Sequence, residues 1–359
     1  SDCYKKYSKQ KLAPLLANAV KLIGILHHNG WMQRDIHLDN FVLSQDKIYM
    51  IDGGGIGKLK NPIDNLALFF AQMIPDYDDM ANSAIGSYGK NAFAIPDLLL
   101  KIRSMRELRI KRFMTKTMRS CTQFKTIKTN DSFITITRSL LTKKLIKLIK
   151  EPEVAIGQSE FIKRGNSATV VKVEGNDFDL TIKRYNMKNF RHRVSRCWRP
   201  SRACVSWQGA HRLAMLGIAT PRPIAMRENR NGRFRKEAYI VTEFIKGKNL
   251  QGWLLTSKGE KVPNWLGQEV FRFFDILWHG KVSHGDMKAS NFIISGKILF
   301  VIDLDTLQRH SSENAMNQAF AEDIERFMAN WQGNTWIYFH KILKPFADRL
   351  NLTLKNKKV

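Results

Sequence analysis

Three residues recur in this chain at one spacing: Asp, four residues, Asn, eleven residues, Asp. Asp35, Asn40 and Asp52 form the first set; Asp286, Asn291 and Asp303 form the second, 251 residues further on. The flanks agree as well. Leu26 and His28 precede Asp35 as Leu277 and His279 precede Asp286, and a phenylalanine follows each Asn (Phe41, Phe292). Two apolar runs around a short turn come next, FVL-SQDK-IYMI and FII-SG-KILFVI, the pattern of a β-hairpin. Residues paired across a hairpin lie about 4.5–5.5 Å apart between Cα atoms, so each hairpin brings the Asn that opens it beside the Asp that closes it. An amide oxygen and a carboxylate so placed suit Mg²⁺, which takes one or two protein carboxylates and fills its shell with waters and phosphates. The upstream Asp is then free to orient a hydroxyl and accept its proton. An offset of 251 residues is too long for a solenoid; it reads as a domain present twice.

The elements that must position these residues follow from periodicity. Residues 11–29 have a helical repeat, with Leu15, Leu16, Ala19, Leu22, Ile23 and Leu26 on one face, and feed the loop carrying Asp35. Further helices are expected over Asp64–Met73 and, strongly basic, Arg103–Met118. No β-rich segment precedes Asp35, so the first domain has one of two expected lobes. A basic stretch then ends in LLTKKLIKLIK, where Leu141, Leu145, Leu148 and Ile149 form a stripe opposite four lysines. Two readings stand for it: an interfacial membrane helix, or a helix packed on its own domain. From Glu160 the texture changes to short strands. FIKRGNSATVVKVEG reads as a hairpin with Gly165 and Asn166 in its turn, and FDLTIKRYN as a third strand bearing Lys183. A helix over Ser201–Leu216, the strand EAYIVTEFI and a helical stretch through Trp278 lead to Asp286, its hairpin, and helices containing Asp323 and Trp331. The expected organisation is a first helical lobe over 1–115, a basic connector over 116–150, and a complete domain over 151–359, itself a β-rich lobe (about 151–246) and a helical lobe (about 247–359).

A length of 359 residues allows two domains, and 43% hydrophobic content is enough for real cores. No apolar run approaches the roughly 20 residues of a membrane span, and nothing resembles a signal peptide. The chain opens on Ser1 rather than Met, which suits a start inside its first domain. Cys3, Cys121, Cys197 and Cys204 show no C-x-x-C pairing and read as free thiols in a reducing cytoplasm. The net charge of +27 is unevenly spread: Lys101 to Lys150 holds 15 Lys/Arg against two acids, and Asn186 to Arg227 holds nine against none. Such patches imply a polyanionic partner, whether phosphorylated glycolipid, anionic membrane surface, nucleic acid or nucleotide. Each Lys or Arg near an anionic bilayer contributes on the order of 1 kcal/mol. Base-stacking aromatics in regular array are not evident, so nucleic acid is not the expected partner.

A β-rich lobe with a strand lysine, followed by a helical lobe with Asp-x₄-Asn and a distal Asp, is the combination that phosphoryl transfer from ATP uses. Through HGDMKASN (His284–Asn291), IDLD (Ile302–Asp305) and TIKRYN, the chain resembles the protein-kinase-like superfamily. The phrases IKRYNMKNF, SWQGAHRLAMLGIATPRPIA, YIVTEFIKGKNL and HGDMKASNF resemble bacterial lipopolysaccharide core kinases, which phosphorylate heptose or Kdo sugars. QRDIHLDNFVLSQDKIYMIDGGGIG resembles the same family. The resemblance implies an α+β, protein-kinase-like fold: a small antiparallel β lobe plus a helical lobe, preceded by a second kinase-like helical lobe.

It also implies roles. Asp286 is the expected catalytic Asp, and Asn291 and Asp303 are the expected Mg²⁺ ligands. Lys183 is expected on the α- and β-phosphates. Gly165, Asn166 and Ser167 form the nucleotide turn, where Gly165 lets backbone N–H groups approach ATP, and Glu243 to Ile245 form the adenine hinge. Asp35, Asn40 and Asp52 take the matching positions in the first copy, which lacks the lysine and glycine loop. The pattern departs from protein kinases in places. The turn has one glycine rather than three, the last motif is Asp303-Leu-Asp305 rather than Asp-Phe-Gly, and the helix after Lys183 has no acid to pair with it. Gln208 or His211 is left to orient the lysine, unless the pair does not exist. Asp64 and Asp323 are expected to brace the catalytic loops, His27, His28 and His211 to be core or capping residues, and Trp198 and Trp207 either to stack on a sugar or to pack in the core. The function implied is ATP-dependent phosphorylation of a heptose or Kdo hydroxyl of the inner core, by a cytoplasmic protein peripheral to the inner membrane. The competing readings are a kinase for a small molecule or protein, and a non-catalytic pseudokinase scaffold binding anionic lipid or nucleic acid.

Overall fold

The computed structural model describes residues 3–45, 47–89, 93–175, 177–186, 200–231, 234–256 and 261–354. They form two compact units, Ser1–Arg112 and Phe113–Val359. Of the basic run from Asn186 to Arg227, positions 187–199 lie outside the described residues, and with them Cys197 and Trp198.

The first unit is built on α1 (Lys9–His28), capped by the Ser8 hydroxyl accepting from the Lys11 N–H. Its buried face is Leu12, Leu16, Ala19, Val20, Ile23 and His27. The predicted Leu15, Leu22 and Leu26 flank this face half-buried, a rotation of one residue. Strand β1 (Trp31–Gln33) is followed by the hairpin β2 (Phe41–Ser44) and β3 (Lys47–Met50), then β4 (Ile56–Lys58), which pairs back onto β1. Helices α2 (Pro62–Phe70), α3 (Asp79–Ile85) and α4 (Ile95–Lys116) complete it. Asn61 caps α2 and Pro62 occupies its first turn, where no N–H is needed. Helix α4 starts eight residues before the predicted Arg103. His27 is a core residue, bonded to the Tyr88 hydroxyl at 2.8 Å and Asn65 Oδ1 at 3.0 Å.

The second unit opens with a seven-stranded antiparallel sheet. Strands β5 (Phe124–Lys128) and β6 (Ser132–Thr137) precede α5 (Lys143–Lys150) and α6 (Pro152–Gly157). Then come β7 (Glu160–Arg164), β8 (Ala168–Val173), β9 (Leu180–Tyr185), α7 (Arg202–Met215), β10 (Pro223–Asn231) and β11 (Phe234–Glu243), in the sheet order β5-β6-β10-β11-β9-β8-β7. This corrects the expected connector over 116–150. Two of its segments are strands of the lobe, with β6 paired to β10 from Ala225↔Ile136 to Asn229↔Ser132. Charged FKTIK pairs with Thr-rich SFITIT, and SFITIT joins the lobe through β10, about 90 residues away, which local patterning does not report.

Alternation splits the sheet's side chains between two cores. On one face Val171, Ile182 and Val241 pack with Leu145, Leu148 and Ile149 of α5 and Ile156 of α6. The apolar stripe of α5 is thus buried in its own lobe, and the interfacial-membrane reading of that helix falls. On the other face Ala168, Tyr185, Met226 and Ile240 meet Ala203 and Trp207 of α7. Trp207 is fully buried and donates its indole N–H to the Thr117 carbonyl, so it packs in the core rather than serving a sugar.

The helical lobe follows: β12 (Lys248–Asn249), α8 (Leu250–Thr256), α9 (Asn264–Gly280), β13 (Val282–Ser283), β14 (Phe292–Ser295), β15 (Ile298–Val301), β16 (Gln308–Arg309), α10 (Glu313–Met328) and α11 (Gly333–Arg349). Its core is aromatic, with Phe274 set edge-on to Phe320 and Phe327, and Phe327 edge-on to Phe339. Lys281 ends α9 in the left-handed region, φ 52°. No helix among the described residues is long and apolar enough to cross a membrane.

Candidate active site

The duplication is written in the hydrogen-bond register. Phe41↔Met50 and Phe292↔Val301 are the same pair 251 residues apart, as are Trp31↔Lys58 and Val282↔Arg309. Ile51 N donates to the Asn40 carbonyl at 2.8 Å, and Ile302 N to the Asn291 carbonyl at 2.9 Å. Asp52 and Asp303 both sit at φ 62°. A non-glycine residue rarely adopts the left-handed region, and such residues cluster at functional sites.

In the second unit, strand β9 carries Lys183 between Val170 of β8 and Ile240 of β11. Its ammonium lies 2.5 Å from Asp303 Oδ1 and 3.9 Å from Asp305 Oδ2. Burial pushes the Asp303 carboxyl upward, but the Lys183 charge and hydrogen bond outweigh it and hold the group below the usual carboxylate range. Asp305 goes the other way, raised by burial and by the Asp303 charge. It is ion-paired with Arg202, the first residue of α7.

Asp286 sits on the loop between β13 and β14. Its Oδ1 accepts from Arg326 at 2.8 Å, and Lys288 Nζ lies 2.9 Å from the same oxygen. Burial raises its pKa, but the Lys288 and Arg326 hydrogen bonds more than offset this, so the group is lowered and ionised at neutral pH. Asn291 donates through Nδ2 to the Asp286 carbonyl at 2.8 Å and to its carboxylate at 3.2 Å. That leaves the Asn291 amide oxygen as the acceptor of this side chain. Beneath the loop, the buried Asp323 accepts from His284 N at 2.6 Å and Gly285 N at 2.9 Å. Burial raises it to about 6 despite those two N–H groups. The brace expected of Asp323 is there. Asp64, expected to do the same in the first unit, instead pairs with Lys101 at 2.9 Å; Asn65 and Gln72 reach the loop, Asn65 donating to the Gln33 carbonyl and Gln72 accepting from Leu38 N and donating to the Ile36 carbonyl.

Gly165 N donates to the Ala168 carbonyl at 3.1 Å, closing the β7–β8 turn. A Cβ here would lie 3.2 Å from the Ala168 oxygen, so the turn is tight enough to favour glycine. Asn166 and Ser167 form its tip. Asn186 Nδ2 holds the Gly165 carbonyl at 2.9 Å, and the Ser167 carbonyl accepts from Asn186 N and from Arg202. At the expected hinge, Glu243 N donates to the Arg222 carbonyl and Phe244 N to that of Asp179; Ile245 lies just beyond the end of β11. A cavity of about 450 Å³ opens beside the same turn, lined by Arg164, Thr169 and Arg184 among others. Thr169 and Arg184 neighbour Val170 and Lys183 in the register, so the cavity lies on the face opposite Lys183.

In the first unit Asn40 Nδ2 donates to the Asp35 carbonyl at 3.0 Å, and Gln33, at the position of His284, donates to the Asp52 carbonyl at 2.8 Å. Asp35 and Asp52 are exposed. The described strands of this unit form two two-stranded sheets, with no counterpart of the sheet that carries Lys183.

Both copies offer hard oxygen donors, the set that suits Mg²⁺. Among the described residues no cluster of three His, Cys, Asp or Glu could enclose a metal. A cation held by Asn291 and Asp303 would fill its shell with phosphate and water, as Mg²⁺ ordinarily does. Against known proteins, residues 150–342, more than half of the chain, match the family described as "Lipopolysaccharide kinase (Kdo/WaaP) family". The chain belongs to that family. It is a kinase family, and ATP is the phosphoryl donor that such membership implies. A search of curated sequences gives no match. Among solved structures, the chain is similar to one titled "WaaP in complex with acyl carrier protein", at 17% identity over 59% of this chain and 91% of that one, TM-score 0.41. It is also similar to the PknI kinase domain of Mycobacterium tuberculosis, at 13% identity over 54% of this chain and 84% of that one, TM-score 0.34. The α+β, kinase-like class expected from the resemblance holds.

Sequence reasoning passed over four residues that touch these groups. Lys288 and Asp305 lie inside quoted motifs without a role, Arg326 follows Asp323 by one helical turn, and Arg202 opens an Arg-rich helix. His211 does not reach Lys183. It packs against Trp207, Phe124 and Phe113, and burial lowers its pKa to about 4, making it a neutral core residue.

Proposed function

We propose that the second unit transfers the γ-phosphoryl group of ATP to a heptose or Kdo hydroxyl of the lipopolysaccharide inner core, at the cytoplasmic face of the inner membrane. The observation that carries this reading is the meeting of a strand-borne lysine with the left-handed Asp303, in the same unit as Asp286 and Asn291. Asp286, held ionised by Lys288 and Arg326, would orient the acceptor hydroxyl and take its proton late in the transfer. Lys183 would pair with the α- and β-phosphates. Asn291 and Asp303 would hold Mg²⁺, which when bound neutralises charge on the β- and γ-phosphates. Asn166 and Ser167 at the turn, and the backbone from Glu243 to Ile245, are the surfaces proposed for the nucleotide. The first unit, with Asp35, Asn40 and Asp52 but no counterpart of the Lys183 strand among its described residues, is proposed to take no part in turnover.

The excess of Lys and Arg suits an acceptor that is already anionic and lies at a membrane, held peripherally. The test is Mg²⁺-dependent transfer of labelled phosphate from ATP to purified core oligosaccharide, with mass spectrometry of the product. One added phosphate on a heptose or Kdo residue is the expected result. ATP turnover without phosphate gain on any core sugar would overturn the acceptor class, and no ATP turnover at all would overturn the phosphotransfer reading.

A further inference from the structure

Lysine on the third strand of a kinase-like sheet needs a carboxylate to hold it against the phosphates, and that carboxylate ordinarily comes from the helix that follows. Helix α7 has none: Arg202 to Met215 reads RACVSWQGAHRLAM. What α7 offers is a cation. Arg202 opens the helix, ion-pairs with Asp305, and donates through Nη1 to the Ser167 carbonyl of the nucleotide turn at 3.2 Å. Asp305 is almost fully buried, its side chain 4% exposed, and Lys183 Nζ lies 3.9 Å from the same Oδ2 that Arg202 meets. Tyr185 closes the arrangement. The Lys183 ammonium and the Arg202 guanidinium each stand 4.9 Å from its ring centre, and its hydroxyl is fixed by Ser206 at 2.7 Å.

We propose that Asp305 is the positioning residue for Lys183, and that Arg202 fixes Asp305 in that role. The charges argue for it. Two cations face two carboxylates, Asp303 and Asp305, and Lys183 now leans on the nearer one. Once Asp303 turns to a divalent ion, Lys183 keeps one carboxylate within reach, Asp305. Arg202 alone would then carry three contacts: the acid that orients the lysine, the aromatic ring beneath both cations, and the turn that covers the nucleotide. The link between α7 and the rest of the site is therefore reversed. The helix grips the helical lobe through Asp305 instead of gripping the strand lysine, so α7, the nucleotide turn and the Asp303-Leu-Asp305 segment move as one.

This inference rests on the phosphotransfer reading, and nucleotide binding by calorimetry separates the two. It is measured with and without Mg²⁺ in the wild type and in the Asp305→Asn, Arg202→Gln and Arg202→Lys variants. With Mg²⁺ present, Asp305→Asn and Arg202→Gln are expected to weaken ATP binding about tenfold, the scale of one lost charge-assisted hydrogen bond. In EDTA, where Asp303 remains available to Lys183, Asp305→Asn should bind within about twofold of wild type and Arg202→Gln should lose less than it does with Mg²⁺, and Arg202→Lys should recover most of the Mg²⁺-dependent loss. Arg202 is partly exposed, so its variants test the idea even if Asp305→Asn folds poorly. Equal losses with and without Mg²⁺ would mean a merely structural role and overturn the proposal, as would no loss at all. A wild-type protein that binds no ATP sinks the phosphotransfer reading and this inference with it.

Discussion

Laid on each other by their offset, the two copies of the Asp-Asn-Asp pattern share a backbone and differ in what surrounds it. Both pair β-hairpins in one register, both turn the Asn side chain onto the carbonyl of the upstream Asp, and both hold the last Asp at φ 62°. In the second copy, Asp303 meets Lys183, Asp286 lies between Lys288 and Arg326, and Asp323 ties down the loop N–H groups. The first copy has His37 at the position of Lys288, bound toward Asp39 rather than Asp35, and neutral side chains, Asn65 and Gln72, under its loop. A hairpin alone therefore specifies the left-handed backbone of its closing Asp. Charge partners from other elements are what turn that geometry toward phosphoryl transfer.

The sharpest way to break this comparison is to make one change in both copies. Asp286→Asn removes the proposed proton acceptor and should lower kcat by about 10²–10⁴-fold, whereas Asp35→Asn should leave ATP turnover within about twofold. Equal losses would show that the first copy contributes directly and that the two are not functionally distinct.

A second difference is one of protonation. Asp323 is raised to about 6 by burial, while an unfolded Asp lies near its usual value, so between about 4 and 6 the folded chain holds a proton that the unfolded chain has released. The sign follows: this group favours the fold at low pH, and its contribution falls as pH rises through that window, by up to about 3 kcal/mol. Asn65 carries no such charge. Thermal midpoints recorded across pH 4–7 should show the downward contribution in wild type and its loss in Asp323→Asn, with Asn65→Asp introducing one of the same sign. Amide exchange at His284 and Gly285 should quicken in Asp323→Asn, because one N–H loses its acceptor. A wild type and an Asp323→Asn variant with parallel pH profiles would refute the assignment.

The left-handed aspartates separate the copies by a smaller amount. An L-residue in that region costs roughly 1–2 kcal/mol relative to glycine, somewhat less for Asp. Asp52 is exposed and makes no side-chain cap, so Asp52→Gly should raise stability by about 0.5–1 kcal/mol in a denaturant titration. Asp303→Gly relieves the same strain but leaves Lys183 without its 2.5 Å partner, so it should show no gain in stability and should abolish Mg²⁺-dependent turnover. A gain of the same size at both positions would mean that the Lys183 pair contributes nothing to the fold.

Local chemistry was legible in the sequence where neighbours on the chain are neighbours in space. The hairpin that joins Asn291 to Asp303 is eleven residues of alternating pattern and turn signals, and the lysine of TIKRYN sits in a strand that pairs with β8, its neighbour on the chain. What was hidden depends on distant pairing. Arg202 and Asp305 are about a hundred residues apart, and nothing in an Arg-rich helix says which acid it will meet. Strands β5 and β6 have residues that are charged or Thr-rich and read as a connector, and it is the pairing of β6 with β10 that brings them into the lobe. Asp64 and Asn65 show the limit at one-residue scale. The helix was expected, but which of two adjacent polar side chains faces the loop depends on helix phase, which boundaries good to a few residues do not set.

The smallest contrast lies at the hairpin edges. In the second unit β14 gains a third strand, with Lys248↔Ile294 and Asn249↔Ile293 in register, and Ile294 is 3% exposed. In the first unit the edge of β2 has no such partner among the described strands, and the matching Leu43 is 40% exposed, beside Val42 at 42% and Tyr49 at 51%. An open, apolar edge is a template for pairing with another strand, and charge is the usual way to blunt it. Leu43→Lys should therefore change folding stability by no more than about 0.5 kcal/mol, as surface substitutions do, while lowering self-association in sedimentation velocity. The matched change Ile294→Lys puts an ammonium where a buried side chain packs, and should cost several times more. If Leu43→Lys destabilised the first unit as strongly, its hairpin edge would have to be covered in solution, and the asymmetry between the copies would not extend to their edges.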